Sequence, residues 1–338
     1  MSIQRIFVWV GIFALGAVTA YYMTRRPGDG PRSTEPPRLM FITGGASPFW
    51  QKTISGARAA AKDHDAEIKI VTPDGGANGQ LQQLMNVDVK DLDGLAISPL
   101  DPAALTERLS EMAKSIKLVT YDSDAPNSNR LCYIGTNNFA AGKLCARMVK
   151  DALPEGGKIV VLFANSDKDN AVHRHEGFIE ELNRTSGETE ADTPRYEVLA
   201  TLHDNIDAER CAANIKQALT DYADINCFVG MFGYHGAALL ETLSTVESTQ
   251  SLKLIVFDED ERVLQGIADG TIYGTIVQDP YKYGYEAVRM LTALHAGRNN
   301  ELPIADRGSL FLPCELVTKK NLSEFRARLN KRIGHDNG

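Results

Sequence analysis

The sequence predicts an α/β protein with two similar lobes, each built on a doubly wound, mainly parallel sheet. The first observation is that short β-branched runs alternate with amphipathic helical segments from residue 39 to residue 296. The second is that most of these strands are largely apolar, which is typical of sheets covered by helices on both faces. The third is length, because 338 residues exceed what one compact core needs, and the alternation divides into two series near residues 135–138.

The individual elements follow from these patterns. Runs rich in Val, Ile, Leu and Phe predict strands, and segments with apolar residues every three or four positions predict helices. The predicted strands are residues 39–43, 67–72, 94–98, 117–121, 158–163, 197–202, 226–231, 253–257 and 274–278. The predicted helices are residues 48–64, 102–114, 138–152, 171–184, 207–222 and 282–296.

The first 38 residues differ from the rest. Residues 6–23 carry no charge, and this run suits the core of a signal peptide or a short membrane anchor. Arg25 and Arg26 follow it, and then comes a stretch rich in Pro, Gly and Ser. We therefore predict a signal peptide or membrane anchor over residues 1–26, a linker over residues 27–38, and export to the periplasm or cell envelope.

Composition and charge exclude several classes of protein. The net charge is −8 with acids and bases interspersed, whereas a nucleic-acid surface needs a basic stripe. The five cysteines have no metal or redox spacing, so we expect buried free thiols, no metal and no cofactor. The sequence also contains no phosphate-loop pattern and no nucleophile elbow, and we expect no enzymatic activity.

Polar side chains follow five of the predicted strands. Because ligands bind at the carboxyl ends of strands in doubly wound sheets, these side chains predict a polar pocket. Carboxylates and amides suit a polyol, since each hydroxyl offers one donor and two acceptor sites. The segments concerned are Thr43-Gly44-Gly45-Ala46-Ser47, Ser98-Pro99-Leu100-Asp101, Tyr121-Asp122-Ser123-Asp124, Phe257-Asp258-Glu259-Asp260 and Gln278-Asp279-Pro280.

These segments belong to a longer ordered series that resembles the type I periplasmic binding proteins of the ribose/galactose-binding family. That family is related to the effector domains of lac-repressor-type regulators, and the resemblance covers about residues 39–319. The series adds Ser47-Pro48-Phe49-Trp50, Gly135-Thr136-Asn137-Asn138 with Ala141-Gly142, Arg174-His175-Glu176-Gly177-Phe178 and Val277-Gln278.

The resemblance implies how the ligand is held. Phe49 and Trp50 would stack on it, Asp101 and Asp122 would accept hydrogen bonds from its hydroxyls, and Arg174 would reach it from the second lobe. The full implied set of ligand contacts is Thr43, Ser47, Phe49, Trp50, Ser98, Asp101, Asp122, Ser123, Asp124, Thr136, Arg174, Phe232, Phe257, Asp258 and Gln278.

Some of these side chains have simpler explanations that the sequence leaves open. Asp101 precedes Pro102 and is a typical N-cap for the helix that begins there. Arg174 is also compatible with a solvated helix position, and one of Phe49 and Trp50 with a hydrophobic staple at a helix entry.

The sequence also departs from the ribose-binding pattern at two places. Ser123 stands where ribose binders usually have Arg, and the segment Met231-Phe232-Gly233-Tyr234 replaces a common Asn. These departures put ribose itself in doubt and leave room for another aldose, a polyol or a positively charged ligand.

The resemblance implies two lobes joined by a three-strand hinge. The expected N-terminal lobe is residues 39–136 plus 279–308, and the expected C-terminal lobe is residues 137–278 plus 309–319. The three crossings are expected near residues 136–138, 278–279 and 308–310, and residues 320–338 form a polar C-terminal tail. Closure of the lobes around a ligand would favour the closed state, because only there do both lobes contact the ligand.

The expected function is that of a monomeric solute-binding protein. It would capture a monosaccharide or polyol and present it to the membrane permease of an ABC transporter. An anchored sensor that reports to a membrane receptor or kinase and a sugar-acting enzyme are the alternatives. A transcription regulator is disfavoured, because an apolar segment stands where a helix-turn-helix should be.

Overall fold

The computed structural model describes residues 35–164, 169–184, 195–246, 251–303 and 308–336, and these form two six-stranded sheets. The first sheet contains β1 (Arg38–Ile42), β2 (Glu67–Val71), β3 (Gly94–Ile97), β4 (Lys117–Tyr121), β5 (Cys132–Thr136) and β11 (Ser309–Leu312). The second contains β6 (Gly156–Phe163), β7 (Arg195–His203), β8 (Cys227–Gly230), β9 (Lys253–Phe257), β10 (Gly274–Val277) and β12 (Glu315–Thr318). The predicted signal peptide or anchor and most of the linker lie outside the described residues.

The two sheets have equivalent topologies. The first runs β2-β1-β3-β4-β5-β11 and is parallel throughout, whereas the second runs β7-β6-β8-β9-β10-β12 and has an antiparallel last pair. In each sheet the strand order reverses next to the first strand of the lobe, which is where doubly wound sheets hold their ligands. The predicted α/β fold with two doubly wound lobes is confirmed.

Helices cover both faces of each sheet. They are α1 (Pro48–Asp63), α2 (Gly76–Met85), α3 (Pro102–Met112), α4 (Asn138–Ala152), α5 (Asp169–Leu182), α6 (Ala208–Asp221), α7 (Gly233–Ser244), α8 (Glu261–Asp269), α9 (Pro280–His295) and α10 (Leu322–Asp336). Side-chain carboxylates or amides cap several of them; Asn137, for example, accepts from the Ala140 backbone N–H at 2.9 Å. No helix in the described parts of the chain is long and apolar enough to cross a membrane.

The sequence patterns did not predict the strands β5, β11 and β12 or the helices α2, α7 and α8. Two of the missed helices, α2 and α7, begin with glycine and carry a second glycine three residues later, which lowers helix propensity. The predicted polar tail is helical over α10, and its Leu322 and Phe325 are buried against the second lobe. Of the five cysteines, which the structure shows as free thiols, all except Cys314 are buried.

The chain passes between the lobes three times. The first two passages lie between β5 and α4 and between β10 and α9. The third lies at Pro313 and Cys314, later than the expected residues 308–310, because Ser309–Leu312 pairs with β5 in the first sheet. The boundary between the lobes that was expected after residue 308 therefore lies after Leu312. A strand of four half-exposed residues has too little periodicity for sequence to assign it to a lobe.

Glycines bring the helices around the cleft into close contact. In the first lobe, a Cβ on Gly56 would lie 1.9 Å from the Tyr281 carbonyl oxygen, so α1 and α9 touch through backbone. In the second lobe, a Cβ on Gly142 would lie 1.9 Å from the Arg174 carbonyl oxygen. The second contact holds α5, and with it Arg174, against the helix that enters the lobe.

Candidate functional site

Asp122 and Asp258 occupy equivalent positions in the two lobes, directly after β4 and β9. Both have left-handed backbones, with φ of 61° and 65°. The Asp122 N–H donates to the Ile134 carbonyl at 3.0 Å, and the Asp258 N–H donates to the Ile276 carbonyl at 2.8 Å. Asp tolerates this region better than most side chains, but it is still an uncommon conformation that clusters at functional sites. Each lobe thus ends its fourth strand with a carboxylate held at the cleft edge.

The first-lobe side of the site is braced by a buried amide. Gln80 of α2 donates from Nε2 to the carbonyl oxygens of Thr43 and Ser98, at 3.2 and 2.9 Å. Ser98 Oγ in turn donates to Asp122 Oδ2 at 3.2 Å, and Ser123 is nearly buried beside it. No sequence signal pointed to Gln80, since a Gln on a short glycine-containing helix has no distinctive pattern.

Aromatic rings cover the entrance to α1. Phe49 and Trp50 meet edge to face with centroids 5.1 Å apart, and Trp50 reaches Tyr121 at 6.3 Å. The Trp50 indole lies directly over Gly44, where a Cβ would be 2.5 Å from the ring. Ser47 is exposed and its side chain makes no cap hydrogen bond. Both rings are half-buried, so they retain surface for a ligand.

Arg174 is buried and held without a carboxylate partner among the described residues. Its Nε and Nη2 both donate to Asn138 Oδ1, at 3.1 and 2.7 Å, and Nη1 donates to the Met231 carbonyl at 2.5 Å. Nη2 also reaches Gln278 Oε1 at 3.3 Å. Within the described chain, four of the five guanidinium N–H groups are thereby used, which leaves one Nη1 hydrogen for a ligand. The solvated alternative for this side chain is excluded, because only 2% of the residue is exposed.

The Arg174 guanidinium also lies between two aromatic rings. Its Cζ is 4.2 Å from the Phe257 centroid and 5.3 Å from the Phe232 centroid. Such contacts stabilise a cation in a desolvated place. The Phe232 and Phe257 rings therefore fix the plane of the guanidinium as well as lining the site.

Asp258 is joined to Arg174 through Gln278. The Gln278 Nε2 donates to Asp258 Oδ1 at 2.9 Å, while its Oε1 accepts from Arg174. Burial raises the pKa of Asp258, and the Gln278 hydrogen bond and the Arg174 charge offset this only in part. The carboxyl group is thus held in a place that disfavours its charge until a donor reaches Oδ2.

A chain of hydrogen bonds runs through the hinge from one lobe to the other. Tyr133 donates to the Asp122 carbonyl at 2.8 Å and lies 3.5 Å from the Thr136 carbonyl. Thr136 Oγ1 and the Tyr283 hydroxyl are hydrogen-bonded, and the Tyr283 hydroxyl lies 3.4 Å from Gln278 Oε1. The sequence analysis did not single out Tyr133 or Tyr283, and Tyr283 meets Thr136 across 147 positions of the chain.

Lys52 of α1 and Glu259 after β9 form an ion pair between the lobes. The Glu259 side chain is 7% exposed, and burial raises its pKa while the Lys52 charge lowers it. Lys52 is the more exposed partner, so the pair sits at the mouth of the cleft. Neither residue was singled out from the sequence, because one charge on each of two distant segments forms no motif.

Asp101 and Asp124 make local contacts instead of joining this group. Asp101 is exposed and caps α3 by accepting from the Ala104 N–H at 3.0 Å, which is the simpler of the two explanations for this side chain. Asp124 accepts from Arg130 Nε and Nη2 at 2.5 and 2.6 Å, a two-point contact that occupies both carboxylate oxygens. We therefore leave both out of the ligand set.

A separate groove of about 680 Å³ lies on the outer edge of the first sheet, away from all these residues. It runs beneath β1 and β2 and is lined by Arg38, Met40, Lys69, Val71 and Gln83, among others. Arg38 is already paired with Asp93 at 3.4 Å, and none of the residues that line this groove belongs to the candidate set from the sequence. The candidate site is the interlobe cleft, where Gln278 joins the Asp258 carboxylate to the Arg174 guanidinium and the Phe232 and Phe257 rings contact that guanidinium.

Comparison with known proteins identifies the family of the chain. A family model described as a periplasmic binding protein domain matches residues 39–299. The ribose import binding protein of Bacillus subtilis is 21% identical over 276 residues, which are 81% of this chain and 84% of that protein. A D-xylose-binding periplasmic protein of Haemophilus influenzae is 29% identical over 122 residues, 36% of each chain.

Solved structures show the same fold. An ABC transporter solute-binding protein from Burkholderia graminis, in complex with D-arabinose, has a TM-score of 0.76 and 27% identity, over 86% of this chain and 98% of that one. A glucose-galactose binding protein from Geobacillus stearothermophilus also has a TM-score of 0.76, at 23% identity, over 86% and 99% of the two chains. The second likeness shows the fold alone.

Proposed function

Because the chain belongs to the periplasmic binding protein domain family, we propose that it binds a monosaccharide between its two lobes and releases it unchanged. The observation that carries this proposal is that Asp122 and Asp258 end equivalent strands of the two lobes, while Arg174 of α5 is linked to Asp258 through Gln278. These groups come from both lobes, so a ligand that contacts all three favours the closed arrangement of the lobes.

The chemistry of the cleft suits a neutral sugar. Two carboxylates accept from vicinal hydroxyls, and the remaining Arg174 N–H donates to a ring or hydroxyl oxygen. The half-buried faces of Phe49 and Trp50 suit the C–H side of a pyranose. No activated nucleophile is needed to account for any of these groups, and a binding protein requires none.

The ligand we favour is an aldose other than ribose. Ser123 supplies no cation where ribose binders have one, and Phe232 adds apolar surface where an Asn is common. Among the relatives compared above, two are named for aldoses other than ribose, namely D-xylose and D-arabinose. Arabinose and xylose are therefore the first candidates, since they need fewer polar partners than a hexose.

We further propose that the protein works in the cell envelope and delivers its sugar to an ABC-type importer. The family description and the name of the Burkholderia graminis neighbour support this, because they refer to a periplasmic domain and to an ABC transporter solute-binding protein. A charge-free N-terminal run at residues 6–23 is consistent with export.

The test is a binding screen of the protein from about residue 33 onward. Thermal shifts and then calorimetry would be measured with D-ribose, D-xylose, both arabinose enantiomers, D-glucose, D-galactose and myo-inositol. We expect one or two aldoses to raise the melting temperature and to bind at a one-to-one ratio, because a ligand that binds only the folded state stabilises it. NMR of the sugar after release should show it unchanged.

Two results would overturn the proposal. One is the lack of any shift across the whole panel with a protein that unfolds cooperatively. The other is catalytic conversion of a sugar with turnover, which would move the protein to the enzyme class.

A further inference from the structure

Asp204 and His235 form a buried pair in the second lobe, away from the cleft-lining carboxylates. Asp204 follows β7, His235 lies in the first turn of α7, and neither side chain is exposed. The His235 Nε2 and Asp204 Oδ2 are 2.8 Å apart. Tyr234 donates its hydroxyl hydrogen to Asp204 Oδ1, and the Ile206 N–H donates to the same oxygen at 2.9 Å. The carboxylate is therefore fully supplied with donors.

The hydrogen bonds assign the tautomer of His235. The Phe232 backbone N–H donates to His235 Nδ1 at 3.2 Å, so Nδ1 carries no hydrogen. Nε2 must then carry it and donate to Asp204. Hence the ring is neutral, and it connects the Asp204 carboxylate to the backbone of the segment between β8 and α7. A side chain that receives a backbone N–H from three residues earlier fixes the start of a helix, as in a capping box.

That same segment holds Arg174. The carbonyl of Met231 accepts from Arg174 Nη1, and the ring of Phe232 packs on the guanidinium at 5.3 Å. The Phe232 ring also meets the His235 ring edge to face at 6.0 Å. His235 thus touches the backbone and the ring that together orient the guanidinium of the cleft.

We propose that His235, supported by Asp204, is a positioning residue that sets the direction of Arg174 through the Met231–Phe232 segment. This inference rests on the proposed sugar-binding function, and it adds a part of the site that contacts no ligand itself. Loss of the hydrogen bond between His235 and the Phe232 N–H should lower the affinity for the sugar. The Met231–Phe232 segment would then move, and the remaining Arg174 hydrogen would no longer meet the sugar oxygen.

The surroundings of His235 favour its neutral form. The groups that face it are Asp204 at the end of β7, Cys211 of α6, Arg174 of α5 and its neighbour Tyr234. Burial lowers the pKa of His235, and the Arg174 charge lowers it further, against the opposing effect of Asp204. Donors from His235 and Tyr234 hold the pKa of Asp204 low despite its burial. The hydrogen bonds account for the Asp204, Cys211 and His235 group without an ion, and we assign no metal to it.

Two substitutions separate the two contacts of the imidazole. In His235→Asn, the amide oxygen takes the place of Nδ1 and accepts from Phe232, but the donor to Asp204 is lost. In His235→Gln, the amide N–H takes the place of Nε2 and donates to Asp204, but the acceptor for Phe232 is lost. We expect the Asn variant to melt at a lower temperature with near-normal sugar affinity. We expect the melting temperature of the Gln variant to fall less than that of the Asn variant. We expect the Gln variant to bind the sugar about tenfold more weakly than the unaltered protein.

The pH profile gives a second readout. Protonation places a hydrogen on Nδ1, facing the Phe232 N–H. Because burial lowers the pKa of His235, the affinity of the unaltered protein should fall as the pH drops below the ordinary imidazole range. Protonation of Asp258 also lowers the affinity as the pH falls. This effect is present in the unaltered protein and in His235→Asn alike, so the difference between their two pH profiles reports His235. The profile of the Asn variant should be flatter than that of the unaltered protein.

Controls distinguish positioning from general destabilisation. Tyr234→Phe removes a donor from Asp204 without touching the Phe232 contact, and Ile267→Ala opens a cavity elsewhere in the lobe. Both should lower the melting temperature and leave the affinity unchanged. Amide exchange at Phe232 and the Arg174 Nε–H resonance, measured without sugar, should match the unaltered protein in the Asn variant and change in the Gln variant.

The outcomes are separable. If the unaltered protein binds no sugar, the proposed function fails, and the sugar-free exchange data still decide the positioning role. If affinity simply follows melting temperature across all four variants, or if the Gln variant keeps both its affinity and its Phe232 protection, His235 does not position Arg174.

Discussion

Lys52 of the first lobe is ion-paired with Glu259 of the second, directly next to the left-handed Asp258. The pair is a direct contact between the lobes, so it forms only when α1 and the segment after β9 lie side by side. Because Glu259 is almost fully buried in this arrangement, opening of the cleft returns its carboxylate to water. Opening and closing of the lobes would therefore affect the Lys52–Glu259 ion pair and the proposed sugar site together.

Removing the Lys52 charge should weaken sugar binding. Lys52→Met leaves the Glu259 carboxylate buried and unpaired in the closed state, so closure becomes less favourable by about 1 kcal/mol, or about fivefold in affinity. Calorimetry measures the affinity, and small-angle scattering measures whether the sugar-free protein becomes more extended. The charge-reversed pair Lys52→Glu with Glu259→Lys should recover part of the loss.

The matched control is Lys158→Met. It breaks an exposed ion pair with Asp224 inside the second lobe, so it should change neither affinity nor dimensions. A Lys52→Met protein with unaltered affinity and unaltered scattering would show that the pair does not contribute to closure.

Replacing Arg174 by Lys should cost far more than a surface Arg-to-Lys change. A single ammonium cannot serve Asn138, Met231 and Gln278 together, because the planar fork of Arg reaches all three from one position. We expect a loss of affinity of about a hundredfold and a loss of stability of at least about 2 kcal/mol. Arg147→Lys, on the neighbouring helix α4 and half exposed, should change either quantity by less than about 1 kcal/mol. Similar effects at the two positions would contradict the role given to Arg174.

Asp258→Asn should stabilise the sugar-free protein at neutral pH while weakening its binding. The pKa of Asp258 is raised by burial, so between 3.8 and its folded value the folded protein binds more protons than the unfolded chain. The free energy of unfolding therefore falls as the pH rises through this window. The Asn amide keeps an acceptor for Gln278 and carries no charge, and we expect a gain of about 1 kcal/mol at pH 7.

Denaturant unfolding at several pH values measures the stability of the Asp258→Asn protein. Calorimetry should show that its affinity for the sugar is at least about tenfold lower. Asp101→Asn is the comparison, since Asn caps a helix as well as Asp and Asp101 lies outside the proposed ligand set. It should alter neither quantity. A less stable Asp258→Asn protein, or a loss of affinity in Asp101→Asn, would count against this account of the two carboxylates.

Gly284→Ala should destabilise the first lobe. A Cβ at this position would lie 1.9 Å from the Thr53 carbonyl oxygen, so α1 and α9 must move apart. Such overpacking costs about 1–3 kcal/mol. Ala238→Gly, in the half-buried part of α7, is a matched change in the opposite sense and should cost about 1 kcal/mol through backbone entropy alone. A Gly284→Ala protein as stable as the original would mean that the helix contact is loose.

Most of the architecture was predictable from the sequence. The alternation of apolar strands and amphipathic helices is a local pattern, and it predicted two doubly wound lobes that the sheet topology confirms. The positions of Asp122, Asp258 and Gln278 followed from a general rule, since the carboxyl ends of parallel strands meet at one edge. Arg174 entered the candidate set through the family resemblance, and its burial among aromatic rings came from the structure.

The remaining features depend on contacts between residues far apart in the chain. Tyr283 meets Thr136 across 147 positions and Lys52 meets Glu259 across 207, and neither pair produces a pattern within a sequence window. The same holds for Asp204 and His235, and for the placing of β11 in the first lobe. By itself, the sequence determined which segments become strands and helices and which polar groups end them, because those depend on neighbouring residues. Only the tertiary structure decided which of these polar groups come together, because the contacts of Arg174 with Met231 and Gln278 join segments 57 and 104 positions apart.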